Sequence, residues 1–172
     1  YFYIQEGKML FKPTFAMKNV LEITPEMLNE MGIKALILDL DNTLTTHNNP
    51  RPADGVAEWL NSMKAAGIKL LIVSNNHAPR VTPFAEMLGL DFVPEGAKPL
   101  PKGYNIAVKK FGMPKNTVCA IGDQIFTDIL GANLAGIKSI FVYPIEFESG
   151  FFFKIKRFFE RPLLPKKYGY KK

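Results

Sequence analysis

Residues 35–43 read Ala35-Leu36-Ile37-Leu38-Asp39-Leu40-Asp41-Asn42-Thr43. Four apolar residues run straight into a polar turn. A short run that is apolar on both faces is expected as a buried strand of a parallel sheet. Asp39 and Asp41 lie two residues apart on extended chain, so their carboxylates project to the same side. Two carboxylates so placed repel each other unless a cation lies between them or one is protonated. A Mg2+ ion, which takes oxygen ligands and keeps several waters, suits such a pair.

On either side of this strand, apolar runs alternate with amphipathic stretches. Thr24-Pro25-Glu26 has the signature of a helix start, and a short helix is expected over 23–31. Asp54 is expected to cap a helix whose apolar face is Val56, Trp59, Leu60 and Met63, ended by Gly67. Leu70–Val73 reads as a second strand, followed by a helix through Val81, Phe84, Ala85 and Leu88. Phe92-Val93 is a short third strand, and a helix is expected near 103–111. Thr117–Ile121 is a fourth strand, a helix runs from about 125 to 135, and Ser139–Tyr143 is a fifth strand. Strands alternating with helices in this way make a doubly wound, Rossmann-like parallel α/β sheet.

Ligands bind such sheets outside the carboxyl ends of the strands. That rule draws together Asp39–Thr43, Ser74-Asn75-Asn76 and Gly122-Asp123, with Asp128 entering from the helix that follows. One aspartate of this kind is ordinarily a helix cap or a solvated loop end. Four of them, three at strand ends of one sheet, point to metal and phosphoryl chemistry. Asn42 and Asn75 flank the site as possible donors to phosphate or as turn residues. His47 and His77 read as solvent-facing loop residues, Lys102 as surface charge, and Cys119 as a buried strand residue.

These residues carry a resemblance. Asp39-Leu40-Asp41-Asn42-Thr43-Leu44 resembles the first motif of the haloacid dehalogenase superfamily. Ser74 resembles the second motif, Lys98 in Gly96-Ala97-Lys98-Pro99 the third, and Gly122–Asp128 the fourth. All four stand in order, with no departure at a catalytic position. The resemblance implies that Asp39 is the nucleophile, forming an aspartyl-phosphate, and that Asp41 is the general acid and base. It implies a Mg2+ site from Asp39, Asp41 and Asp123, with Asp128 holding a metal-bound water or Lys98. Thr43, Ser74, Asn75 and Lys98 would contact the phosphoryl group. An aspartate at position 41 favours a phosphatase over a dehalogenase.

The intervals 45–73 and 75–98 are too short for a cap domain, so an open site is expected. Open sites suit large or anchored substrates. The charge distribution is also uneven. Residues 1–150 hold 14 Lys/Arg and 15 Asp/Glu, while 151–172 hold 8 basic residues and only Glu160. Within that tail Phe151, Phe152, Ile155, Phe158 and Phe159 fall on one helical stripe, opposite Lys154, Arg157, Glu160 and Arg161, with Lys156 at the margin. Phe153 breaks the pattern. Two readings stay open and can coexist: a terminal helix packed on the domain, or a basic helix lying on an anionic phospholipid membrane. The second makes Phe151, Phe152, Ile155, Phe158, Phe159, Lys154, Lys156 and Arg157 membrane contacts. A nucleic-acid partner ranks behind both.

The chain most resembles the YqeG-like, subclass IIIA branch of the superfamily, which is related to phosphatidylglycerophosphate phosphatases. That resemblance implies removal of a terminal phosphate from an anionic lipid headgroup. A phosphatase for a soluble sugar phosphate, nucleotide or nucleic-acid end is the alternative, and a non-catalytic membrane adaptor comes last. The single cysteine excludes an intrachain disulfide, and no apolar run reaches the ~18 residues of a membrane span. The expected location is the cytoplasm, peripheral on the inner face of a membrane. Residues 1–8 are read as a non-native remnant ahead of a native Met9, residues 9–150 as a capless phosphatase domain, and residues 151–172 as its basic amphipathic tail.

Overall fold

The computed structural model describes residues 10–47, 49–146, 150, 155 and 158–164. The expectations for residues 1–8, and those for Phe151, Phe152, Phe153, Lys154, Lys156 and Arg157, lie outside the described residues. Six strands form one parallel sheet: β1 (Phe15–Met17), β2 (Ala35–Leu38), β3 (Lys69–Val73), β4 (Asp91–Val93), β5 (Val118–Gly122) and β6 (Lys138–Val142). Their order across the sheet is β1-β6-β5-β2-β3-β4. From β2 the chain winds outward through β3 to β4. It then returns to place β5 on the other side of β2 and winds outward again to β6. The strand order therefore reverses between β2 and β5, where an open α/β sheet opens its ligand crevice.

Helices cover both faces. α1 (Pro25–Glu30), α2 (Val56–Ala65) and α3 (Ala78–Leu88) lie on one side. There Met27, Trp59, Leu60, Met63, Val81 and Phe84 pack on Leu36, Leu38, Ile72 and Ile121. The buried indole of Trp59 is satisfied by donating to the Ile23 carbonyl at 2.8 Å. α4 (Lys102–Phe111) and α5 (Leu130–Ala135) cover the other side, where Tyr104, Ala107, Phe111, Ala132 and Ala135 meet Ile37, Leu71 and Val73. Double coverage is why β2 and β5 are apolar on both faces. Between β2 and β3 the described chain holds only α2, and between β3 and Lys98 only α3 and β4, so no cap domain interrupts it.

Three local readings need correction. Asp54 does not occupy the cap of α2; Gly55 does, in a left-handed conformation with φ 79°. The helix expected over 125–135 opens with a π-helical turn, Ile125–Ile129, before α5 begins. The edge strand β1 was not anticipated; it pairs with β6 from Phe15↔Ile140 to Met17↔Val142. Elsewhere the local chemistry is as expected: Thr24 accepts the Met27 N–H at 3.3 Å, and Pro25 starts α1.

Candidate active site

The ladder between β2 and β5 extends one residue past β2, because the Asp39 N–H donates to the Ile121 carbonyl at 2.9 Å. That fixes the Asp39 backbone at the strand-order reversal. One carboxylate oxygen of Asp39 accepts from the Thr43 hydroxyl at 3.2 Å, and the other from the Lys98 ammonium. Lys98 also donates to Asp128 Oδ1 at 2.7 Å. The second Asp128 oxygen accepts the Gln124 N–H at 3.1 Å. Lys98 thus ties the end of β2 to the π-helical turn.

Backbone geometry makes that tie possible. A Cβ on Gly122 would lie 2.4 Å from the Asp128 side chain, so only glycine leaves the aspartate room. Asp128 belongs to a π-helical turn, a feature that concentrates at functional sites. On the other flank, Asn75 grips Lys98 by its backbone: Asn75 Oδ1 accepts the Lys98 N–H at 2.7 Å, and its amide donates to the Lys98 carbonyl at 3.0 Å. Asn75, expected as a phosphate donor, is therefore engaged in holding the lysine. Thr43, expected in the same role, is engaged with Asp39. Glu95 and Ala97, just before Lys98, adopt φ of 50° and 55°, a left-handed conformation that costs energy without a glycine.

Ser74 is buried at the end of β3. Its Oγ accepts the Asn76 N–H at 3.1 Å, so its own proton remains available to donate. Asn42 takes a turn role: it has φ 63°, and its carbonyl accepts the Ile145 N–H at 3.1 Å. His47 and His77 are exposed, His77 lying 2.6 Å from Glu95. Cys119 is buried, and burial pushes its thiol up to about 12.

The sequence reading missed two residues of the site. Arg80 Nη2 lies 2.8 Å from Asp41 Oδ1, and the Asn76 amide donates to Asp41 Oδ2. Both reach Asp41 from beyond β3, across more than 30 residues of sequence. The available signal was a basic residue in the first turn of the helix that leaves the Ser74-Asn75-Asn76 loop.

Burial pushes the Asp39 carboxyl up to about 6 against the pull of Lys98. Burial alone would lower the Lys98 ammonium, but the carboxylates of Asp128 and Asp39 outweigh it and hold it charged, well above the ordinary lysine range. Asp39, Asp123 and Asp128 each bring a carboxylate oxygen within 4.8 Å of the others. Among the described residues Lys98 is the cation paired with this trio, through Asp39 and Asp128, whereas Arg80 pairs with Asp41 beside it. The two negative charges left over match one divalent cation, and the all-oxygen donor set fits a hard one. For Asp41 the resemblance implies the backbone carbonyl as the ligand, and its carboxylate is engaged by Arg80 and Asn76.

The tail reaches this region from outside. Residues 158–160 are helical and lead into a 3-10 turn, Arg161–Leu163. Glu160, expected on the outer polar side, is instead fully buried and accepts the Phe126 N–H at 3.1 Å. Leu163 and Leu164 pack against Ala16, Ile125, Ile129 and Phe141. Ile155, Phe158 and Phe159 are exposed. No described helix is long and apolar enough to cross a membrane.

Two family models match the chain: haloacid dehalogenase-like hydrolase over residues 47–136 and mitochondrial PGP phosphatase over residues 3–82. The probable phosphatase YqeG of Bacillus subtilis is 41% identical over 157 residues, which is 91% of each chain. A phosphoglycolate phosphatase of Caulobacter vibrioides is 34% identical over 101 residues, covering 53% of this chain and 42% of that one. Among solved structures, a 4-nitrophenylphosphatase from Thermotoga maritima matches with a TM-score of 0.57 at 15% identity, over 69% of this chain and 88% of that one. Likeness at that identity is a likeness of fold.

Proposed function

The chain belongs to the haloacid dehalogenase-like hydrolases and is a phosphatase, and we propose that it uses Mg2+ to remove the terminal monoester phosphate of an anionic lipid headgroup, phosphatidylglycerophosphate. The observation that carries the chemistry is Asp39 at the strand-order reversal, with Thr43 and Lys98 on its two oxygens and two further carboxylates beside it. In this reading an Asp39 oxygen attacks phosphorus while Asp41 protonates the departing ester oxygen, leaving phosphate on Asp39. Asp41, now a carboxylate, takes a proton from water, whose oxygen attacks the same phosphorus. Phosphate leaves and Asp39 is restored. Lys98 and the Ser74 hydroxyl offset charge on the transferring oxygens. Asp39, Asp123 and the Asp41 carbonyl would hold the divalent cation, with Asp128 beside them, and the cation would supply charge neutralisation at phosphorus.

Two observations support the lipid substrate. The match to mitochondrial PGP phosphatases spans residues 3–82, which include Asp39, Asp41 and Ser74. The described tail is also fastened beside the π-helical turn, with Ile155, Phe158 and Phe159 facing outward. With seven net positive charges in residues 151–172, that face suits an anionic bilayer. The resemblance to phosphoglycolate phosphatases over half the chain favours a second reading, a small soluble ester.

Mg2+-dependent phosphate release from phosphatidylglycerophosphate in mixed micelles, set beside soluble esters, decides between them. Strong release from the lipid is expected, abolished in Asp39→Asn. Release from soluble esters alone would keep the mechanism and discard the lipid. Turnover retained in Asp39→Asn would remove Asp39 from the nucleophile's role.

A further inference from the structure

Arg80 has more binding capacity than its present partners use. It stands in the first turn of α3, and its side chain is mostly buried against Asp41. Among the described residues only Nη2 is engaged, donating to Asp41 Oδ1 at 2.8 Å and to the Asn49 carbonyl at 3.0 Å. Its Nε is buried and has no hydrogen-bond partner among the described residues. A buried N–H left unpaired is costly, and a guanidinium matches planar anions through two parallel hydrogen bonds. A lysine would be enough merely to neutralise Asp41; arginine adds a fork.

The position of Arg80 indicates what that fork would meet. Asp41 is the residue assigned to the departing ester oxygen, so a group packed on Asp41 borders the leaving group rather than the transferred phosphoryl. Both Asp41 oxygens are occupied, one by Arg80 and one by Asn76. A leaving-group oxygen that approaches Asp41 must take over one of those contacts. If it takes the Arg80 contact, the guanidinium is released beside the leaving group.

We propose that Arg80 receives a second anionic group on the substrate, a few bonds beyond the hydrolysed ester, and that this group is the phosphodiester of a phosphorylated lipid headgroup. The proposal rests on the reading of the site as a phosphatase for such a headgroup. A glycerol unit separates the two phosphates of that headgroup, which places the diester within reach of a side chain touching Asp41. Phosphate esters with a neutral leaving group gain nothing from Arg80. A carboxylate one carbon from the ester offers the same chemistry from a soluble source.

The test measures binding, so it does not depend on turnover. Asp39→Asn protein with Mg2+ is titrated calorimetrically with three water-soluble ligands. These are glycerophosphoglycerol phosphate, which carries a diester; phosphoglycolate, which carries a carboxylate; and glycerol 3-phosphate, which has no second anion. The diester ligand should bind roughly ten- to a hundredfold tighter than glycerol 3-phosphate, the range of one charge-assisted contact. Arg80→Gln added to the Asp39→Asn protein should erase that margin, and Arg80→Lys should keep part of it. A margin carried by phosphoglycolate alone would overturn the diester and point to a soluble substrate. Equal weakening of all three ligands by Arg80→Gln, or no weakening, would overturn the proposal and leave Arg80 as a group that positions Asp41. Absence of phosphatase activity in the unaltered chain would defeat the proposed function without altering this readout.

Discussion

Asp39 and Glu160 are both carboxylates withdrawn from water, and their surroundings differ. Asp39 lies among other carboxylates, is met by the Lys98 ammonium and the Thr43 hydroxyl, and has its pKa pushed up to about 6. Glu160 is fully buried where the tail meets the body and accepts a backbone N–H from Phe126. The first cluster, Asp39, Asp123 and Asp128, holds more negative charge than Lys98 neutralises, which suits a site that must attract a divalent ion and a phosphate together. The second uses a carboxylate as a fastener, pinning a short segment to the turn that leads to Asp128. Excess charge around a buried carboxylate marks the reacting site, whereas a carboxylate on a backbone donor marks an anchor.

Replacing Lys98 with methionine should give the largest effect. The change keeps most of the volume but leaves Asp39 and Asp128 buried without their shared cation. Breaking a buried pair from one side costs about 3–5 kcal/mol. Thermal unfolding of metal-free protein at neutral pH should show the loss, and phosphate release should fall with it. The sign of the pH dependence follows from Asp39. Its folded pKa is raised to about 6, above the ~3.9 of an unfolded chain. The metal-free fold therefore loses stability as pH rises through that interval, and the Lys98→Met deficit should shrink toward pH 4. A deficit that does not vary with pH would mean that volume, not charge, sets the cost.

The anchor should respond less. Glu160→Ala leaves the Phe126 N–H without this acceptor in a half-buried place, at a cost of about 1 kcal/mol. Glu160→Gln keeps an acceptor oxygen and should recover most of the loss. The melting temperature should fall in the first variant and nearly return in the second. An unchanged melting temperature for Glu160→Ala would show that the tail is not fastened at this point.

The contrast between cluster and anchor also marks what the sequence could disclose. β2, β3 and β5 were legible because burial on both faces demands uninterrupted apolar runs, and Asp39, Ser74 and Asp123 follow from where those runs end. β1 was not legible, since three residues, Phe15-Ala16-Met17, are too few to show a period. The π-helical turn left no trace because one extra residue in a turn hardly disturbs the spacing of apolar positions. Arg80 and Asn76 were hidden for another reason. Their contact with Asp41 spans 39 and 35 residues, and no local pattern encodes it. Glu160 was misplaced because periodicity gives the faces of a helix but not which face docks.

That last error yields the subtlest expected effect. Helical spacing put Phe158 and Phe159 on an apolar stripe, and ordinary packing would turn such a stripe inward. Instead Phe158 is 68% exposed and Phe159 61%, while Leu163 and Leu164 make the apolar contact with the body. Two exposed phenylalanines contribute little to folding, so Phe158→Ser with Phe159→Ser should shift stability by no more than about 0.5 kcal/mol. The same pair should matter at a lipid surface, where burying apolar area adds to the attraction of the basic tail. Co-sedimentation with vesicles rich in anionic phospholipid should fall in the double variant, with the melting temperature unchanged. Equal sedimentation of the two proteins would remove these side chains from membrane contact. A large drop in melting temperature instead would mean that the stripe packs on protein after all, and that the tail is fastened by its apolar stripe as well as by Glu160.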